Sequence, residues 1–185
     1  MGEPGTKEIF RLEDLQATGK LNTGRKHILS ILVENQPGVL ARISSLFARR
    51  GYNIDTLAVG PTDDDHVSRI TMTIDGAEHQ MDQVTKQLHK LIHVLKIRDL
   101  EPEDTVAREL ALFKIDADAH TRTEIVQLAE IFHGRVVDVA RRSITVEVTG
   151  IDEKIEAFEA LVRPFGLIEM VRTGEIAVQR GRTET

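Results

Sequence analysis

One order of hydrophobic patterns occurs twice in this chain of 185 residues, and it constrains the fold more than any other feature. In each half, strand-like and helix-like segments follow one another as strand, helix, strand, strand, helix, strand. A chain with this order is expected to form a ferredoxin-like βαββαβ unit, in which two helices cover one face of a four-stranded antiparallel sheet. The sequence therefore predicts an α+β protein with two such units in tandem.

The first half is divided into elements by clear stop signals. Gly51 stands where a helix C-cap belongs, and Pro61 opens an acidic turn that ends at Asp65. Residues 101–104 are acidic, contain a proline and form a predicted linker. The predicted strands are 27–33, 54–59, 67–74 and 94–100, and the predicted helices are 39–50 and 80–92.

The second half repeats this order. Asp152 is predicted as a helix N-cap, and Thr173 with Gly174 is predicted as a turn or bulge. The predicted strands are 106–116, 135–140, 144–149 and the extended segment 167–179, and the predicted helices are 124–133 and 152–162. In both units the helices leave one sheet face open, and oligomerisation is the simplest way to cover it.

These limits divide the chain into three segments. Residues 1–26 are predicted to form a weakly structured arm, because glycines and a proline interrupt its start. Residues 27–103 form the first predicted domain, and residues 104–185 form the second.

The composition argues against several classes of protein. A formal net charge of −6 disfavours a nucleic-acid-binding protein. Cysteine is absent from the sequence, which excludes disulfides and thiolate zinc sites and fits a reducing compartment. No apolar run approaches the ~20 residues that a membrane helix needs, and no signal-peptide pattern opens the chain. We therefore expect a cytoplasmic protein that binds neither nucleic acid nor membrane.

The turn after the first strand carries the clearest functional signal. Asn35, Pro37 and Gly38 stand between a predicted strand and a predicted helix. A helix N-terminus offers N–H groups and a partial positive charge to a carboxylate, and a glycine lets a ligand approach the backbone. The Asn35 amide can donate to a carboxylate or accept from an ammonium. This pattern predicts a site that binds a free amino acid without transforming it.

The corresponding turn of the second half, residues 116–121, lacks this pattern. It contains Asp116 and Asp118, whose charges would repel a carboxylate. If a ligand binds at this kind of turn, we expect the first half to hold it.

Neither a catalytic residue nor a metal site is predicted. The sequence contains no phosphate-binding glycine loop and no nucleophile elbow. His89 and His93 have a spacing that can bind a metal, but no third ligand is evident, so we interpret them as a solvated histidine and a helix C-terminal histidine. RNA-recognition modules share the strand order, but strands 28–33 and 67–74 contain no aromatic residue for base stacking.

Longer segments resemble a known family. Residues 34–40 and 47–54 resemble the ACT domain, a regulatory module that binds amino acids. Together with residues 68–72 and 86–91, they resemble the small regulatory subunits of acetolactate synthase, also called acetohydroxyacid synthase. The second half resembles the C-terminal domain of these subunits in residues 108–112, 136–139 and 163–166. The resemblance covers roughly residues 27–181.

The resemblance implies a partner and an effector. In this family the catalytic large subunit carries thiamine diphosphate, magnesium and FAD, and it joins two pyruvates, or pyruvate with 2-oxobutyrate. No cofactor is implied on this chain. The small subunit raises that activity and makes it sensitive to valine, and isoleucine or leucine are expected to be weaker effectors.

The resemblance also implies a site shared by two protomers of a homodimer. One protomer contributes the turn and the other contributes the start of its second strand. The implied residues are Asn35, Gln36, Pro37, Gly38, Val39 and Leu40 of one protomer and Asn53 and Ile54 of the other. Val39 and Ile54 could pack against a branched aliphatic side chain. An alternative is an ACT-type sensor that regulates a different biosynthetic enzyme, against which only the second-half resemblance argues.

Overall fold

The computed structural model describes residues 25–76 and 78–182, which form two antiparallel sheets with two helices each. The first half contains β1 (Arg25–Glu34), α1 (Val39–Arg50), β2 (Ile54–Pro61), β3 (Val67–Gly76), α2 (Glu78–Leu88) and β4 (Val94–Leu100). The second half contains β5 (Thr105–Asp116), α3 (Thr121–Ile131), β6 (Arg135–Val139), β7 (Ser143–Gly150), α4 (Asp152–Val162), β8 (Leu167–Arg172) and β9 (Ile176–Gln179), with 3₁₀ turns at Pro102–Asp104 and Arg163–Phe165. The prediction of two tandem ferredoxin-like units is confirmed. Except for its last two residues, the predicted arm 1–26 lies outside the described residues.

The first sheet has the strand order β2-β3-β1-β4, with antiparallel neighbours throughout. Alternate residues of the central strand β1, namely Leu29, Ile31 and Val33, are buried in a core shared with α1 and α2. Ile31 pairs with Ile70 of β3. A slip of one residue would turn these side chains to the other face, so the register of β1 is fixed. The position of the turn that follows Glu34 is fixed with it.

Helix α1 is amphipathic and has a glycine at each end. Ile43 and Phe47, one turn apart, are buried in the same core as β1. Gly51 has a φ of 72°, and its N–H donates to the carbonyls of Ala48 and Phe47, as in a left-handed C-cap. The predicted helix 39–50 and its predicted C-cap are confirmed.

The second sheet has the order β6-β7-β5-β8 and its own core. Ala111, Phe113 and Ile115 of β5 alternate inward, and the rings of Phe113 and Phe158 meet edge to face at 4.9 Å. β9 lies outside this order and pairs with residues 105–108 at the start of β5. The start of β5 and β9 therefore form a two-stranded ribbon.

This ribbon packs against the face of the first sheet that carries no helices. Ala177 of β9 is buried with Ile28 and Leu100 of the first sheet. Arg98 of β4 donates from Nη1 to Oε1 of Gln179 at 3.0 Å. Oligomerisation was expected as the simplest way to cover this face, but the second half of the same chain covers this part of it.

Helix α2 ends earlier than predicted. The predicted range was 80–92, whereas the helix spans Glu78–Leu88. After it, the N–H groups of Lys90, Leu91 and Val94 donate to carbonyls three residues back, which tightens the chain into turns. His93 therefore lies in the connection to β4, and its interpretation as a C-terminal residue of the helix is wrong.

Asp152 does not cap α4, contrary to the prediction. Ile151 holds the N-cap position, and within the described residues no side chain hydrogen-bonds there. The Asp152 carboxylate instead accepts from Nζ of Lys26 at 2.7 Å and from the guanidinium of Arg172. These two cations compete with the helix N–H groups for the same oxygens, and one of them comes from the first half of the chain.

Candidate functional site

The turn between β1 and α1 is tied to the connection between β2 and β3. The N–H of Asn35 donates to the carbonyl of His66 at 2.7 Å, and Nδ2 of Asn35 donates to the carbonyl of Asp65 at 3.0 Å. The register of β1 and β3, which pairs Glu34 with Val67, brings these groups together. The amide nitrogen of Asn35 is thus used within the chain, and its Oδ1 oxygen is the acceptor that it can present to an ammonium.

The N-terminus of α1 follows this turn and is open. Gly38 occupies the N-cap position with a φ of 86°, and an added Cβ would meet nothing within 4 Å. The positive φ, and not a lack of space, therefore requires glycine here. Among the described residues no side chain caps this helix, and its first turn contains no acidic residue. The N–H groups of Leu40 and Ala41 can therefore receive a carboxylate from outside the chain.

The corresponding helix of the second half, α3, is closed by a carboxylate of its own. Oδ1 of Asp118 accepts from the N–H groups of Thr121 at 2.9 Å and His120 at 2.8 Å, and also from the Thr121 hydroxyl. The bonds from the Thr121 and His120 N–H groups hold the pKa of Asp118 below its ordinary value. The sequence predicted that an acid here would repel a ligand's carboxylate, and the structure shows an acid in the place that such a carboxylate would take.

Six of the eight predicted site residues lie together, but they differ in burial. Residues 35–38 are exposed, and Leu40 is 39% exposed. Val39 is only 5% exposed, because its side chain packs into the first core. The Val39 side chain therefore packs within its own chain, and its contact with a ligand stays a prediction.

Asn53 and Ile54 lie at the other end of the same sheet. Ile54 pairs with Ile74 of β3, whereas Glu34, directly before the turn, pairs with Val67. Seven residues of β3 separate these two pairs, a distance of about 24 Å in a β-strand. One amino acid cannot touch both groups within a single chain. Asn53 donates from Nδ2 to Oδ1 of Asp55 at 2.8 Å.

Two residues beside the turn were not assigned to the site from the sequence. Nδ1 of His93 donates to Oε2 of Glu34 at 2.7 Å, and the N–H of Glu34 donates to the carbonyl of His93 at 2.9 Å. A signal for this contact was present, because the ferredoxin-like order places the start of β4 beside the end of β1. Applied to His93, that order would have predicted Glu34 as its neighbour.

A groove of about 540 Å³ lies elsewhere, between the end of β2 and the ribbon of β5 and β9. Its walls are mostly apolar and include Val59, Ile176 and Val178, all of them at least half exposed. None of the eight predicted site residues lines it. The predicted site is therefore a surface of one chain and not a cavity within it.

The described part of the chain contains no group of three or more histidine, aspartate or glutamate side chains that could hold a metal ion. The acidic turn after β2 is held by its own hydrogen bonds, since Oδ1 of Asp64 accepts from the N–H of His66 at 2.9 Å. Over residues 25–76 and 78–182, no helix is long and apolar enough to cross a membrane.

Comparison with known proteins gives the same result for both halves. Residues 29–96 match the family described as the AHAS small subunit-like ACT domain, and residues 108–181 match the small subunit of acetolactate synthase. The acetolactate synthase small subunit of Mycolicibacterium smegmatis is 48% identical over 155 residues, which cover 84% of this chain and 91% of that protein. A probable acetolactate synthase small subunit of Methanothermobacter thermautotrophicus is 50% identical over 156 residues, covering 84% and 93%. The crystal structure of the acetolactate synthase small subunit from Thermotoga maritima superimposes with a TM-score of 0.80 at 39% identity, covering 86% of this chain and 99% of that one.

Proposed function

Because the chain belongs to the family of acetolactate synthase small subunits, we propose that it binds valine as a feedback inhibitor and activates the catalytic large subunit. The observation that carries the valine proposal is the open N-terminus of α1, which follows the Asn35–Gly38 turn. The corresponding helix N-terminus of the second half is, by contrast, already closed by Asp118. Isoleucine and leucine bind the same site more weakly in this proposal.

The chemistry of the turn suits the two charged groups of an amino acid. The carboxylate accepts from the N–H groups of Leu40 and Ala41, where the helix dipole also favours a negative charge. The ammonium donates to Oδ1 of Asn35, whose Nδ2 is already engaged with Asp65. Leu40 is partly exposed at the start of the helix and offers an apolar contact for a branched side chain.

A homodimer would complete the site with Asn53 and Ile54 of a second copy. β2 is an edge strand of the first sheet, and no strand of the described structure pairs with its outer edge. Antiparallel pairing of two β2 strands over their full length, around a two-fold axis, would place Ile54 of the second copy beside Pro61 of the first. Pro61 pairs with Ser68 and therefore lies at the same end of the sheet as the Asn35 turn.

Inhibition then follows because the effector binds one state of the complex more tightly than the other. An effector shared by two protomers favours the dimer geometry that fits it, and a coupling free energy of ~1–3 kcal/mol to the partner's active site is enough for feedback control. The thiamine diphosphate, magnesium and FAD of the proposed reaction belong to the catalytic large subunit. In this proposal, the small subunit contributes the effector site and the dimer geometry that the bound effector favours.

Reconstitution with the catalytic large subunit of the same organism tests this proposal. We expect the small subunit to raise acetolactate synthase activity, and valine at millimolar concentration to reverse that increase. Asn35→Ala removes the ammonium acceptor and Gly38→Asp places a carboxylate at the helix N-terminus, so both variants should lose inhibition by valine while still activating. Full valine sensitivity in both variants would show that the site is wrong, and no activation by the wild-type chain would contradict the function.

A further inference from the structure

We propose that Glu34 and His93 form a positioning pair that holds the Asn35–Gly38 turn in the conformation that binds the effector. The inference rests on the proposed function, because it names residues that prepare the same site without touching the ligand. Both residues lie outside the set that the sequence and the family resemblance assign to effector binding.

Two hydrogen bonds join these residues. Nδ1 of His93 donates to Oε2 of Glu34 at 2.7 Å, and the N–H of Glu34 donates to the carbonyl of His93 at 2.9 Å. The side chains are 24% and 36% exposed for His93 and Glu34, so the pair is only partly screened by water. A bond to a charged acceptor in such a place is stronger than one between two neutral groups.

The pair acts where the regular pairing of β1 with β4 stops. The register between these strands shifts after Leu32, and the last regular pair joins Val33 to Val94. Beyond it, the two hydrogen bonds between Glu34 and His93 continue the attachment of β1 to the β4 side. On the β3 side, the attachment continues through the bonds of Asn35 to the carbonyls of Asp65 and His66. The turn is therefore held from both sides.

The pair also controls a negative charge beside the proposed site. Glu34 directly precedes Asn35, and its carboxylate is directed to His93. Without that donor, the carboxylate would be free to turn toward the uncapped N–H groups at the start of α1 and compete for them with the carboxylate of a bound ligand. Loss of His93 should therefore be more harmful than loss of both members of the pair.

Titration calorimetry with valine on the full-length chain tests this predicted ranking of the variants. We expect Glu34→Gln and His93→Ala to weaken valine binding, His93→Ala on the order of tenfold, which is within the range found for coupled neighbours. In the double variant, affinity should recover in part relative to His93→Ala, since the unpaired carboxylate is gone. A residue with a merely structural role would not give this recovery, because the double variant would be at least as impaired as either single one.

The chain offers a matched control at the other end of the same sheet. His27 and Asp99 form a second histidine–carboxylate pair, with Nδ1 of His27 2.8 Å from Oδ2 of Asp99. Asp99→Asn removes the charge of this pair and should leave valine affinity within about twofold, because Asp99 lies on β4, the edge strand opposite β2 and Ile54. Thermal melts of every variant separate weaker binding from loss of folded protein.

Three outcomes contradict parts of the account. If the wild-type chain binds valine and both Glu34→Gln and His93→Ala bind it as well as Asp99→Asn does, the positioning pair is wrong. The same holds if the double variant binds no better than His93→Ala. If the wild-type chain shows no binding at millimolar valine, the proposed function itself fails.

Discussion

At the scale of single residues, two acidic side chains where the two halves meet, Asp152 and Glu175, differ in their hydrogen bonding. Burial alone would raise the pKa of Asp152, but the hydrogen bonds from Lys26 and Arg172 outweigh burial and hold it below its ordinary value. Glu175 is 6% exposed, and within the described residues its buried Oε2 atom has no hydrogen-bond partner. Burial raises the pKa of Glu175 despite the nearby positive charge of Lys26.

Glu175→Gln should therefore stabilise the protein at neutral pH. The raised pKa means that the folded state keeps a proton which the unfolded state releases, so the contribution of Glu175 to stability falls as pH rises above the ordinary value of 4.5. The variant lacks this dependence, so its melting temperature should gain on that of the wild type as pH rises from 4.5, until the pH passes the raised pKa of Glu175. Melting curves across this range measure it.

Glu156→Gln is the control for this prediction. Glu156 and Glu175 both line a cleft between the two halves, but Glu156 is exposed. Its melting temperature should follow the wild type at each pH. Parallel curves for Glu175→Gln and the wild type would contradict the assignment of Glu175 as an unfavourably buried acid.

Residues such as these could not be predicted from the sequence. Lys26, whose ammonium bonds Asp152 and whose charge acts on Glu175, lies more than a hundred residues before either of them. The local sequence of Asp152 favours a helix N-cap, and only the tertiary structure supplies the competing cation. The Asn35–Gly38 turn was predictable because its conformation depends on neighbouring residues and on the left-handed φ of Gly38.

At the scale of elements, local signals predicted starts and stops well where a glycine marks them. Helix α1 ends at Gly51 as predicted, because glycine is the residue that most readily adopts the left-handed conformation of a helix C-cap. Helix α2 has no such signal, and the apolar spacing that continues to Ile92 predicted a helix longer than Glu78–Leu88. The role of β9 was also hidden, since an extended pattern does not reveal which sheet the strand covers.

The packing of β9 can be tested with two adjacent substitutions. Ala177 is 3% exposed against Ile28 and Leu100, whereas Val178 is 52% exposed. Ala177→Asp buries an unpaired carboxylate and should lower the free energy of unfolding by about 3 kcal/mol, as other unpaired buried charges do. Val178→Asp should change it by less than about 0.5 kcal/mol, which is typical of surface substitutions. Urea unfolding measures both, and equal effects would contradict the packing of β9 on the first sheet.

At the scale of the whole molecule, one fold occurs twice with two different helix N-termini. In the first half the N-terminus of α1 is open, and in the second half Asp118 closes that of α3. The ribbon of β5 and β9 joins the halves. His93, beside the turn, directly precedes β4, and Arg98 of β4 contacts Gln179 of the ribbon. A continuous set of contacts therefore joins the turn to the second half, and the proposed feedback control would use it.

A crystal structure of the protein grown with valine is the most direct test of the central claim. We expect two copies related by a two-fold axis, with a valine carboxylate at the N-terminus of α1, its ammonium at Oδ1 of Asn35, and Asn53 and Ile54 of the second copy completing the site. Valine bound elsewhere, for example in the groove between β2 and β9, with the Asn35–Gly38 turn empty, would contradict the account.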